Sequence, residues 1–224
     1  MAPPQPGEKE PLLWKGPGVA ELSLETDSGK LIAYGRELIA NTSSYLGPHG
    51  SVLHITNGLN CQNCHLDAGT KPWGNNYGGV YSTYPKMRAR SGTVEDIYKR
   101  INDCIERSLN GVSLDTSSRE LQALYAYMKW VGQDVPKKEK PAGTGIMELP
   151  PLDRAADPGR GRLVFMQKCQ RCHGPDGQGY YKQGTLVYEY PPLWGPESYT
   201  TAAGLYRLSR FAGLVKNNMP FGTR

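Results

Sequence analysis

Apolar side chains recur with helical periodicity in several stretches of this chain, and polar residues mark where each helix should begin and end. Over residues 27–46, Leu31, Tyr34, Leu38 and Ile39 share a helical face. Residues 117–132 give the clearest pattern: Leu121, Leu124, Tyr125 and Met128 form the stripe. There Ser117 and Glu120 suit a capping box and Gly132 suits a stop. Residues 93–110 predict a further helix ended by Gly111. Another opens at Asp157-Pro158, an N-cap followed by a first-turn proline, and runs to Cys169. The predicted fold class is mainly α.

Composition adds limits. A length of 224 residues suits one large or two small domains. The hydrophobic fraction is 38%, with 27 Gly and 18 Pro, which suits a loop-rich fold with a core partly built around something other than side chains. A net charge of +5 favours anionic partners or substrates, and the absence of a Lys/Arg block argues against nucleic acid. No apolar run reaches the ~18 residues of a membrane span. The opening "MAPPQPGEKEP" reads as a mature N-terminus carrying an added or retained methionine, without a signal peptide. The predicted organisation is a flexible arm (1–20), a first domain (21–133), a Pro-, Gly- and Lys-rich linker (134–152) and a second domain (153–224). No equivalent of the 117–132 helix is visible in the second domain, so the chain is expected to be shortened there.

Four of the five cysteines fall into two identical frames, "CQNCH" (Cys61, Cys64, His65) and "CQRCH" (Cys169, Cys172, His173). Cys-x-x-Cys-His attaches c-type haem. Two thiols add across the haem vinyl groups, and the histidine takes the proximal position on the iron. A zinc ribbon would hold its pairs about 15–20 residues apart, far closer than these. A dithiol redox pair does not explain a histidine after both motifs. The expectation is two covalently attached haem c groups, each wrapped by a cytochrome c-like domain. Haem attachment outside the cytoplasmic membrane implies a periplasmic protein.

Each iron then needs a second axial ligand. Met219, in a Met-Pro sequence after the second motif, suits that haem, and Lys216 is a competitor. The first haem has no such Met-Pro: Met87 lies in a loop and Met128 belongs to the helix stripe. His49 and His54 precede the motif and remain candidates. Cys104 follows His65 by nearly the offset at which Met219 follows His173. On a helix, Arg100, Cys104 and Ser108 share one face, so a cation, a thiol and a hydroxyl would meet the haem together. Without a missing ligand, Cys104 would read as a small buried hydrophobe. Here it is favoured as a thiolate ligand, which nearby Arg⁺ and ferric iron stabilise. Such sulfur is also nucleophilic toward other sulfur species.

With "RINDCIERSLNG", "NNMPFG" and both haem motifs in place, the sequence from about Glu21 onward resembles the dihaem thiosulfate dehydrogenases, some of which act as tetrathionate reductases. The resemblance implies coupling of two thiosulfates to tetrathionate with release of two electrons. It implies an active haem on Cys61 and Cys64 with His65 and Cys104 as axial ligands. Arg90, Arg100 and Ser108 match substrate-contacting positions. It implies an electron-exit haem on Cys169 and Cys172 with His173 and Met219, serving a small cytochrome or similar partner. Some members carry lysine where this chain has Asn218, so a lysine–methionine ligand switch is not expected. Tyr77, Tyr81 and Tyr84 are read as structural residues of the loop. Three other functions compete: a dihaem electron carrier, a haem–thiolate cytochrome that loads a carrier-protein cysteine, and a dihaem peroxidase.

Overall fold

The computed structural model describes residues 13–222, and residues 1–12 of the predicted arm lie outside it. The helical stripes fold much as their periodicity dictates, with shifted ends. The pattern over 27–46 divides at Asn41 (φ −128°, ψ 39°) into α1 (Asp27–Ala40) and α2 (Thr42–Leu46). Thr26 caps α1, accepting a bond from Gly29 N–H. One-turn helices follow the first motif at Leu66–Gly69 (α3) and Val80–Thr83 (α4).

The predicted 93–110 helix begins late. Thr93–Glu95 is instead strand β2, paired antiparallel with β1 (Lys86–Arg88). Asp96 caps α5 (Ile97–Ser108) through its carboxylate to Lys99 N–H at 2.8 Å. Its last turn closes through Asn110 (φ 49°), whose left-handed backbone lets Gly111 N–H return to Ile105 O at 3.0 Å. So Asn110, rather than Gly111, makes the turn. The helix α6 (Arg119–Val131) is capped by Ser118 rather than Ser117, because Ser117 is drawn back to Asp115.

The stripe of α6 packs along α1. Leu38, Ile39, Leu121, Leu124, Tyr127 and Val131 are almost fully buried there, joined by Ile97, Ile101 and Ile105 of α5. Each such side chain contributes roughly 1.5–3 kcal/mol of burial, which makes this the main core.

Beyond it, the linker is held down rather than loose. Trp73 N–H and Asn75 N–H donate to Gly143 and Gly145 carbonyls, and Ile146 is buried. Trp14, within the stretch read as an arm, donates its N–H to Ala142 O and packs on the core. The later half contains α7 (Pro158–Lys168), capped by Asp157 as predicted, then α8 (Gln170–His173), β3 (Tyr180–Tyr181), β4 (Tyr188–Tyr190) and α9 (Leu208–Asn218). The sequence reading did not single out α9. It carries Leu214 into a small second cluster with Leu66, Ile146 and Leu205.

Candidate functional site

The first attachment motif is fastened to α2 by hydrogen bonds from backbone N–H groups to side-chain oxygens. Cys61 N–H donates to Thr42 Oγ1 at 2.9 Å, and Ser43 N–H donates to Asn60 Oδ1 at 2.8 Å. Asn60 N–H in turn donates to Asn63 Oδ1 at 2.7 Å, closing the 3-10 turn of Cys61–Asn63. His65 then faces a fixed environment. Its Nδ1 bonds the Asn75 carbonyl at 2.6 Å, and its ring stacks on Tyr77 at 4.5 Å. A carbonyl at Nδ1 holds the proton there and leaves Nε2 with a free lone pair. Burial, aided by the field of Arg100, lowers the imidazole pKa to about 4, so the ring is neutral.

The two thiols beside it are also neutral. Burial raises Cys61 to about 11 and Cys64 to about 12; Cys104 and, for Cys64, Cys61 add to the effect. Both are free thiols. Cys104 is half-buried on α5, and its sulfur acts electrostatically on Cys61, Cys64, Tyr77 and Tyr84. It therefore belongs to the same pocket as the motif. Arg100 lies one turn earlier, its pKa raised chiefly by Cys104. Among the described residues the Arg100 side chain makes no hydrogen bond or ion pair, so its fork is available to a ligand. Ser108 stands half-buried one turn past Cys104 at the end of α5.

Arg90 is placed differently. It is exposed, and its Nη1 donates to Ala202 O at 2.5 Å, tying the tip of the β1–β2 hairpin to the later half. His49 and His54 are exposed, and the His54 ring bonds Gly50 O. Met87 is also exposed, whereas Met128 is spent in the core. Of the three loop tyrosines, Tyr77 and Tyr84 are buried beside the motif and Tyr81 lies under Lys129 and Lys137.

The second motif repeats the first arrangement in a more open setting. His173 Nδ1 bonds Pro191 O at 2.8 Å, again leaving Nε2 for a ligand. Burial raises the Cys169 thiol, with Cys172 adding to it. The preceding helix α7 buries none of its residues, and Leu163, Val164 and Met166 stand exposed. Free thiols, an imidazole oriented through its Nδ1 and bare apolar side chains suit a covalently held porphyrin. Met219, the residue capping α9, packs against the cluster of Leu66, Ile146, Leu205 and Leu214, while Lys216 is exposed. Sequence reasoning missed Arg88, Glu95 and Asp103. Asp103 is buried between Lys99 (3.0 Å) and Arg107 (2.8 Å), an i±4 charge pattern that was legible. Glu95 had no such local signal.

Residues 53–136 match the SoxA/TsdA cytochrome c domain model. A thiosulfate dehydrogenase of Psychrobacter arcticus is 38% identical over 172 residues, covering 75% of this chain and 51% of that protein. One from Allochromatium vinosum is 37% identical over 198 residues, covering 87% of this chain and 71% of that protein. The structure of the thiosulfate dehydrogenase TsdBA from Marichromatium purpuratum, in its as-isolated form, superposes with a TM-score of 0.84 at 28% identity, covering 93% of this chain and 44% of that one. The chain thus spans about half the length of the Psychrobacter relative and less than half of the solved one.

Proposed function

The chain belongs to the thiosulfate dehydrogenase family, and we propose that it joins two thiosulfate ions into tetrathionate with release of two electrons, the reverse reaction using the same site. The observation that carries this reading is Cys104 and the unpartnered Arg100 sharing the pocket of the first haem motif. In this reading Cys61 and Cys64 would hold one haem c covalently, with His65 and Cys104 available to its iron. Cys169 and Cys172 would hold a second, with His173 and Met219 available to its iron. Bound haem supplies one-electron acceptors, so two of them suit a two-electron coupling. Export for haem attachment makes the periplasm the proposed compartment, and a small cytochrome is the proposed electron partner. Among the described residues no helix is long and apolar enough to cross a membrane.

The chain's own residues have an electrostatic task. Thiosulfate is a dianion, and unit charges 4 Å apart already repel by roughly 4 kcal/mol at an effective dielectric of 20. Two dianions multiply that about fourfold. Arg100 offers a planar fork to a sulfonate, and Arg90 and Ser108 are the proposed further contacts. Cys104 sulfur, freed from its ligand role, would bond the sulfane sulfur of the first thiosulfate, giving Cys–S–S–SO₃⁻ as two electrons pass to the one-electron acceptors. The second thiosulfate attacks that sulfane sulfur, the Cys104 bond breaks and takes its electron pair back to the thiolate, and tetrathionate departs. As haem thioethers Cys61 and Cys64 would carry no charge, and burial keeps the His65 imidazole neutral, so neither adds charge to the pocket.

The test is thiosulfate-to-tetrathionate turnover with ferricyanide, wild type beside Cys104→Gly. Loss of the nucleophile should lower turnover on the order of a thousandfold with both haems still attached. Equal activity in the two proteins would refute the role of Cys104. An inactive wild type, in both directions, would return the protein to the electron-carrier reading.

A further inference from the structure

Two dianions must meet beside Cys104, yet Arg100 is one cation. The β1–β2 hairpin brings others. Strand alternation sets Lys86 and Arg88 on one face of β1 and leaves Met87 on the opposite, exposed face. Pairing sets Lys86 across from Glu95, so Lys86, Arg88 and Glu95 share the inward face. There Lys86 Nζ lies 4.7 Å from the centre of the Tyr84 ring, and Arg88 Nε lies 3.7 Å from the Glu95 carboxylate. Tyr84 is buried. Its hydroxyl is raised by burial first and by Glu95 and Cys104, and lowered by Arg100 and Arg88. One tyrosine thus stands among the hairpin face, Arg100 and the Cys104 sulfur.

The charges there do not balance. Glu95 is 1% exposed, and its Oε2 has no hydrogen-bond partner among the described residues. At 3.7 Å its pairing with Arg88 is Coulombic rather than a hydrogen bond. Against this one carboxylate stand Lys86, Arg88 and Arg100. Among the described residues Lys86 makes no ion pair. Burial, then Arg88, Lys140 and Arg100, hold its ammonium below the ordinary lysine range. Cations crowded at a half-buried surface are stabilised by an anion that lies between them.

We propose that Lys86 and Arg88 form, with Arg100, a second oxoanion-holding position beside Cys104, and that buried Glu95 positions Arg88 within it. The ligand is a sulfonate: that of the second thiosulfate on the way in, or the far end of tetrathionate on the way out. This rests on the thiosulfate-coupling reading above. Glu95 engages Arg88 on its Nε side and leaves the terminal nitrogens for sulfonate oxygens. It also subtracts one charge from the face, which keeps a dianionic product from being held too tightly.

Steady-state kinetics of the holoprotein test this, with K86Q, R88Q, the K86Q/R88Q double variant and E95Q. Each lysine or arginine variant should raise KM for thiosulfate about tenfold, the worth of one charge-assisted hydrogen bond, and should lower kcat by less. E95Q keeps an acceptor oxygen beside Arg88 and removes only the charge, so it should shift the other way, lowering KM and slowing kcat through product release, a split that mere loss of structure does not give. An unchanged KM in the double variant, with wild-type circular dichroism, overturns the proposal. If wild type itself does not turn over, the enzymatic reading has failed. Calorimetric titration with tetrathionate then decides the subsite separately. Binding by wild type that the double variant loses supports it; equal binding, or none by wild type, overturns it.

Discussion

His65 is held by two neighbours, the Asn75 carbonyl and the Tyr77 ring, which follow a single backbone turn. Asp67, Ala68 and Gly69 all take positive φ (53°, 52° and 82°), and this turn sets the Tyr77 ring against the imidazole. A Cβ on Gly69 would lie 2.0 Å from a Tyr77 ring carbon. Gly69→Ala should therefore cost about 1–2 kcal/mol for the left-handed backbone and about 1–3 kcal/mol for the displaced ring. Urea unfolding of the holoprotein would measure the loss, and a shifted haem absorption would show that the His65 side is disturbed. Cys104 is the opposite kind of residue. Its backbone is ordinary helix, and its importance comes from what α5 makes it face.

Helix α1 crosses α6 where neither can retreat. A Cβ on Gly35 would fall 2.0 Å from the Ala123 carbonyl oxygen and 2.8 Å from Tyr127 Cβ. Tyr127 in turn donates its hydroxyl to Ala68 O at 3.1 Å, so the crossing reaches the loop behind His65. Gly35→Ala should destabilise the protein by about 1–3 kcal/mol or more, because backbone rather than a flexible side chain must move. Thermal unfolding monitored in the far ultraviolet would reveal it as a lowered Tm with little change in folded helix content. The short hairpin before α5 has a comparable effect on the site. By pairing residues 86–88 with 93–95, it turns a stretch that periodicity joined to the helix into a wall of the pocket.

The halves of the molecule meet close to the first motif. Asn57 Nδ2 donates to Ser198 O at 2.9 Å, Thr200 Oγ1 to Arg107 O at 2.5 Å, and Asn218 Nδ2 to Trp73 O at 3.3 Å. Leu66, next to His65, shares a cluster with Leu205 and Leu214 of the later half. In the proposed dihaem reading, such contact suits electrons passing from one haem to the other. The purified protein should carry two haems per chain by pyridine haemochrome assay. Replacing Cys169 and Cys172 by serine should remove one and leave the first motif loaded. A wild-type protein with one haem per chain would contradict the dihaem reading.

The sequence alone determined the attachment chemistry and much of the helical scaffold. Cys-x-x-Cys-His is covalent chemistry confined to five consecutive residues, and the stripes of α1 and α6 are local periodicities that burial enforces. The i, i+4 alignment of Arg100, Cys104 and Ser108 was likewise set by helix geometry. Caps moved by a residue or more, because Ser117 and Ser118 compete on nearly equal terms and only the backbone of the turn selects between them. The tertiary structure decided what the alignment faces. It brought Cys104 into the field of Cys61 and Cys64, turned Arg90 toward Ala202, and gathered Lys86, Arg88 and Glu95 around Tyr84. Those relations depend on strand pairing and long-range charge rather than on spacing along the chain. A carboxylate such as Glu95 becomes informative only when its burial among cations is known.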